Sequence, residues 1–128
     1  MACPCGIGVD FESCCGPFLR KGSAPTAGEL MRSRYTAFVV EDEAYLLSTW
    51  HPDTRPSRVT FGADQEWTGL EVLETTGGTM FDDAGSVRFA ASFSTPDGDR
   101  RLLELSEFVR VDGKWMYVAA EEATIVDD

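Results

Sequence analysis

No cysteine occurs after position 15 of this 128-residue chain, and histidine occurs once, at His51. No Ser-His-Asp set, phosphate-binding glycine loop or carboxylate pair at helical spacing is present, so the residues support no catalytic assignment. No apolar run approaches the roughly 18 residues of a membrane-spanning helix. Basic residues are also scarce, 11 against 22 acids for a net charge of −11. Residues 1–40 hold four Lys/Arg against three acids, so nearly all of the acidity lies in the remainder. Such a surface repels phosphate backbones and anionic headgroups, which argues against nucleic-acid and membrane partners. There is no internal repeat and no low-complexity segment. Met1 is followed at once by the first cysteine pair, with no basic or apolar leader, and a reducing, cytoplasmic setting is expected.

What is present is concentrated at the start. The four cysteines read Cys3-Pro-Cys5-Gly and Ser-Cys14-Cys15-Gly. Neighbouring cysteines bridge only with strain. In a reducing compartment, four clustered thiols read as the ligands of one tetrahedral ion, with Zn2+ the expected metal. Cross-paired disulfides, thiol redox chemistry and Cu(I) are the alternatives, and Fe2+ or Co2+ would suit the same sulfurs. Four protein ligands leave no position for water or substrate, so the expected zinc is structural. Gly6, Gly8 and Gly16 allow positive φ and close backbone approach, and Pro4 restricts the loop between two ligands.

These residues resemble the SEC-C motif, known from the C-terminal tail of the SecA translocation ATPase. The usual form has a lysine-rich middle, whereas this chain has Ile7, Val9, Asp10 and Glu12. The ligands are kept and the basic surface is lost.

At 128 residues there is room for one core plus the knuckle. The expected division is a zinc knuckle over residues 1–22 and an α+β body over 23–128. Phe18 to Pro25 reads as a connector. Thr26 and Glu29 have capping-box spacing, and Leu30, Met31, Tyr35 and Phe38 form a helical stripe behind them. A second helix fits Asp42 to Thr49 and ends at His51-Pro52. Residues 53–64 are polar and irregular. From Trp67 the period becomes two. Leu70 and Val72 start a strand, and Val87, Phe89, Ala91 and Phe93 mark the next. Leu103, Leu105, Glu107, Val109 and Val111 mark a third, and Trp115, Tyr117 and Ala119 a fourth. Pro96 to Asp99 is a turn, and Asp112-Gly113 is a type I′ hairpin signal. The expected fold is helices packed on a curved four-stranded antiparallel sheet.

Across almost the whole chain a resemblance covers Leu30-Met-Arg-Ser-Arg-Tyr-Thr-Ala-Phe38, Tyr45-Leu, Thr49-x-His51-Pro52 and Trp67-Thr-Gly-Leu-Glu-Val72. It continues in Glu104-x-Ser106-x-Phe108 and Gly113-x-Trp115. These segments are similar to the YchJ family, bacterial proteins that join a SEC-C motif to a cystatin-like cone resembling nuclear transport factor two. The resemblance implies that fold and a metal, and no reaction. Some members carry a second cysteine cluster at the C-terminus, absent from residues 121–128. Some have a histidine beside the acid, where this chain has Leu102 and Leu103.

A cone of this kind encloses a pocket, for which Arg34, His51 and Glu104 are the candidate lining residues. For His51 the plainer role is to cap the second helix; for whichever of Arg32 and Arg34 turns inward, it is to pair with Glu104 inside the cone. Arg32 and Arg34 lie about 200° apart on a helix and cannot point the same way. Three functions stay open. The favoured one is a docking module for another protein, with Val9, Phe11, Phe18 and Leu19 as the contact. The others are a small-ligand binder or enzyme using the pocket, and a zinc-stabilised domain that forms a homodimer through its sheet.

Overall fold

A computed structural model describes residues 1–127. The chain opens with an antiparallel bridge between Ala2 and Asp10 that closes a loop around the first cysteine pair. A 3-10 turn over Phe11–Ser13 leads into α1 (Cys15–Lys21). Then come α2 (Ala27–Val40), α3 (Glu43–Ser48) and the strands β1 (Glu66–Gly77), β2 (Ala84–Thr95), β3 (Gly98–Val111) and β4 (Lys114–Asp127). The strands form one antiparallel meander in the order β1-β2-β3-β4. The expected α+β architecture is therefore the observed one. No helix among the described residues is long and apolar enough to cross a membrane.

Helix α1 corrects the reading of Phe18 to Pro25 as a connector. Its signals are in the sequence. Pro17 stands in the first turn, where a backbone N–H has no helical partner to lose. Arg20 and Lys21 occupy the last turn, and Gly22 caps it with φ 82°. The positive φ expected at Gly16 is also absent. This residue is helical, and its role is close approach, since a Cβ there would stand 2.9 Å from the Phe11 carbonyl oxygen.

For α2, the Thr26 hydroxyl accepts from the Glu29 N–H at 3.1 Å and donates to the Glu29 carboxylate at 3.0 Å. This is N-cap chemistry at the expected position, with the carboxylate meeting the hydroxyl instead of the Thr26 N–H. The buried face of α2 is wider than the stripe. Leu30, Met31 and Tyr35 are joined by Ala27, Ser33, Arg34, Thr36 and Ala37, while Phe38 is only half-buried. For α3, the Asp42 side chain accepts from the Tyr45 N–H at 3.0 Å.

Strand β2 buries Val87, Phe89, Ala91 and Phe93 as expected. Their cross-strand partners on β3 are Ser106, Glu104, Leu102 and Arg100. Directly paired residues share a face, so the inner face of β3 is the even-numbered one. Leu103, Leu105 and Val109 lie on the outer face, contrary to the sequence reading. The run Leu102-Leu103-Glu104-Leu105 is apolar in both registers, and period alone does not separate them. On β4, Trp115 and Tyr117 face the core, but the register shifts between Glu107↔Ala119 and Phe108↔Tyr117. This bulge at Val118 turns Ala119 to the outer face, another departure from simple alternation. Asp112 and Gly113 have φ of 52° and 80°, as a type I′ turn requires.

One cluster holds the molecule together. Leu30, Tyr35 and Leu46 from the helices meet Val87, Phe89, Phe108 and Trp115 from the sheet. Burying each large side chain of this set contributes about 1.5–3 kcal/mol. Cys3, Cys5 and Cys15 belong to the same cluster, so the knuckle shares the core of the body.

Candidate metal centre and an aromatic cavity

The N-terminal loop and the start of α1 bring all four sulfurs together. Gly6 and Gly8, with φ of 83° and 85°, let the loop double back. The Cys3 N–H donates to the Val9 carbonyl at 2.9 Å and the Gly6 N–H to the Cys3 carbonyl at 3.1 Å. Cys5 and Cys14 Sγ are then 3.6 Å apart, and Cys14 and Cys15 Sγ 3.9 Å. All four ligand atoms lie within 4.8 Å of one another, and all four are free thiols. A tetrahedron of thiolate bonds of about 2.3 Å has sulfur–sulfur edges of about 3.8 Å, so the donor set fits one four-coordinate ion.

Electrostatics point the same way. Burial opposes ionisation of Cys3, but the N–H groups of Cys5 and Cys15, the Cys15 thiol and the Thr36 hydroxyl stabilise its thiolate. They bring its pKa down to about 7. Cys14 is pushed up to about 12 by burial and by the neighbouring Cys5 and Cys3, and burial drives Cys15 upward as well. Without a cation, four thiolates so close together repel one another; a bound ion reverses that balance. The Thr36 hydroxyl of α2 lies 3.7 Å from Cys3 Sγ. It is a support that the cysteine spacing gave no hint of, because it comes from another element.

The second site lies between α2 and the sheet. A cavity of about 140 Å³ is walled by Met31, Tyr35, Phe38, Trp67, Phe89 and Leu102, and Arg34, Trp50, Glu104, Ser106 and Tyr117 line its polar end. Tyr35 and Trp67 meet edge to face at 6.1 Å. Arg34 is 4% exposed. Its Nη1 donates to the Leu46 carbonyl at 2.9 Å and the Thr49 hydroxyl at 2.8 Å, fixing α2 to the end of α3. Its guanidinium carbon lies 4.6 Å from the Tyr117 ring centroid and 4.9 Å from that of Trp50. Burial lowers its pKa to about 10, while Tyr117, Tyr45 and Glu104 favour the charged form. Glu104 Oε2 accepts a hydrogen bond from the Ser106 hydroxyl. Burial raises the Glu104 pKa, against the pull of Ser106 and Arg34.

The structure thus brings Arg34 and Glu104 into one cavity but joins them by no direct ion pair, unlike the pairing expected. His51 lies outside the cavity. Its N–H donates to the Tyr117 carbonyl at 2.8 Å, and its Nδ1 accepts from the Asp53 N–H at 3.1 Å. Nor does the His51 ring cap α3. Lys114 Nζ does so, donating to the Ser48 carbonyl at 2.9 Å. Arg32, as expected, points elsewhere, into a cleft with Ile7, Val9, Phe18 and Glu29. Of the anticipated docking residues, Val9 is 39% exposed, whereas Phe11, Phe18 and Leu19 are partly buried against the core. Ser106, Tyr117 and Thr49 were missed as site residues, since only the strand register and the α3–β4 contact place them.

The chain is similar to proteins already known. The family described as "YchJ, middle NTF2-like domain" matches residues 26–120. A UPF0225 protein of Streptomyces avermitilis is 52% identical over 94% of this chain and 84% of its own length. One from Chromobacterium violaceum is 44% identical over 92% of this chain and 90% of its own. The solution structure of a SEC-C motif containing protein from Rhodopseudomonas palustris superposes with a TM-score of 0.81 at 30% identity, covering 94% of this chain and 98% of that one. The crystal structure of another, from Psychrobacter arcticus, gives 0.77 at 29% identity, covering 91% and 80%. The cysteine cluster together with these SEC-C relatives suggests a metal site at the N-terminus. The helix–sheet body and its matching family profile place the chain in the YchJ family.

Proposed function

We propose that the four cysteines hold one structural Zn2+ and that the helix–sheet body binds a small organic molecule in its aromatic cavity. For zinc, the support is a closed set of four thiols at tetrahedral spacing with no position left for substrate. For ligand binding, the carrying observation is the buried Arg34 lining a cavity walled by aromatic rings, with Glu104 at the same end. Apolar pockets with a few convergent polar groups are the usual form of small-molecule sites. Metal content by mass spectrometry, beside a thiol count before and after chelation, tests the first part. One zinc per chain with four masked thiols is expected. Free thiols and no metal would overturn it. Fragment binding followed by protein chemical shifts tests the second, with Ala91→Leu filling the cavity as the control. Shifts centred on cavity residues in the parent and absent from the filled variant are expected.

Docking of a protein partner is the second reading, and the cleft beside the cysteines favours it. There Ile7, Val9 and Phe18 stand next to Glu29 and Arg32, an apolar strip with one charge of each sign. Changing Ile7 and Val9 to Asp should abolish partner capture while zinc content is unchanged.

A further inference from the structure

We infer that the cavity selects an uncharged, planar, single-ring molecule carrying a hydrogen-bond acceptor beside a hydrogen-bond donor, the pattern of a cyclic amide. This rests on the ligand-binding reading above and specifies its chemistry. Size comes first. At about 140 Å³, the space is close to the roughly 150 Å³ apolar cavity that accommodates benzene. One ring fits. Shape follows from the walls, where Tyr35, Trp67 and Phe89 offer ring faces and edges to a flat ligand.

Polarity follows from what the two charged groups leave unused. Both hydrogen bonds that Arg34 makes within the described residues leave from Nη1, so Nε and Nη2 remain as donors. The hydrogen bond to Glu104 ends on Oε2, so Oε1 remains as an acceptor. A C=O beside an N–H satisfies one of each, whereas a hydrocarbon ring leaves both groups unmet in an apolar site. Charge completes the argument. The guanidinium and the carboxylate already compensate each other across the cavity. An anionic ligand adds an unbalanced negative charge to a largely apolar site, and a cationic ligand an unbalanced positive one. A neutral ligand adds neither.

The test titrates the full zinc-loaded chain with 2-pyridone, benzoate and benzylammonium, reading affinity from protein chemical shifts. The parent should bind 2-pyridone at least about tenfold more tightly than either ion. Glu104→Gln removes the balancing charge, so benzoate should gain and 2-pyridone lose, reversing their order; a purely structural role for Glu104 would weaken both together. Ala91→Leu should abolish all binding, with Leu102→Phe as the second filling variant if the first fails to fold. Benzoate bound more tightly than 2-pyridone by the parent, and lost on filling the cavity, would overturn the neutral-ligand inference while leaving the cavity a binding site. No shift at cavity residues with any of the three probes would overturn both.

Discussion

The cysteine knuckle and the aromatic cavity are both polar sites set into apolar surroundings, and they are built in opposite ways. The knuckle takes its four thiols from the first fifteen residues, and their sulfurs converge within 4.8 Å. The cavity takes its lining from positions as far apart as Met31 and Tyr117, drawn from α2, the segment after α3 and all four strands. The knuckle is chemically closed once it holds an ion, because four thiolates complete a tetrahedron. The cavity is left incomplete, with donors and an acceptor unspent. A closed site stabilises, and an incomplete one leaves polar groups for a ligand to meet. The two meet on α2, which sends Thr36 to the sulfurs and Arg34 to the cavity.

The sharpest way to break the comparison is to remove the ion. Cys5→Ser should eliminate metal binding and, because the cysteines share the core, lower the melting temperature by on the order of 15 °C, equivalent to about 4 kcal/mol. Calorimetry of the metal-loaded parent and the variant checks this. An unchanged melting temperature would mean that the body does not depend on the knuckle. Next in size is Arg34→Met, which removes the charged donor to the Leu46 carbonyl and the Thr49 hydroxyl and leaves them only the bonds the Thr49 hydroxyl gives to the Tyr45 and Leu46 carbonyls. A loss of about 2–4 kcal/mol in urea unfolding is expected, with metal content unchanged. If metal content falls as well, the two sites are coupled through α2.

Thr36→Val should then weaken metal affinity by about tenfold in competition with a chelator, the usual size of an effect one shell out from the ligands. No change would show the knuckle to be independent of the body. The smallest effect concerns pH. Burial holds the Glu104 pKa above its ordinary value. A raised carboxyl contributes stability that is fully present below its unfolded pKa and lost as pH rises through the folded one. The stability of the parent relative to Glu104→Gln should therefore fall as pH climbs from about 4.3 toward neutrality. A difference that grows over that range would reverse the assigned environment of Glu104.

The legibility of the two regions in the sequence follows the same division. The cysteine cluster could be read directly, because local spacing limits what four thiols can do. The Asp112-Gly113 turn and the Thr26 cap were equally readable, since each is a local conformational preference. Helix α1 was readable in principle from Pro17 and Gly22 but was masked by the connector-like composition around it. The inner face of β3 was not, because Leu102 to Leu105 is apolar in either register, and pairing with β2 decides which residues point inward. Nor was the displacement of Ala119, which depends on a bulge at Val118 that alternation does not announce. His51 looked like a pocket residue because it is the only histidine, yet its place is set by the backbone bond to Tyr117.

The sequence by itself determined the cysteine cluster, the order of α2, α3 and the four strands, and the acidic character of the body. All of these follow from short-range spacing, periodicity and composition. Only the tertiary structure decided that Arg34 and Glu104 share a cavity without pairing, that Thr36 supports Cys3, and that Lys114 rather than His51 caps α3. Each of those contacts joins residues far apart in the chain, and their meeting is set by strand register and by how α2 and α3 pack on the sheet. No local preference encodes them.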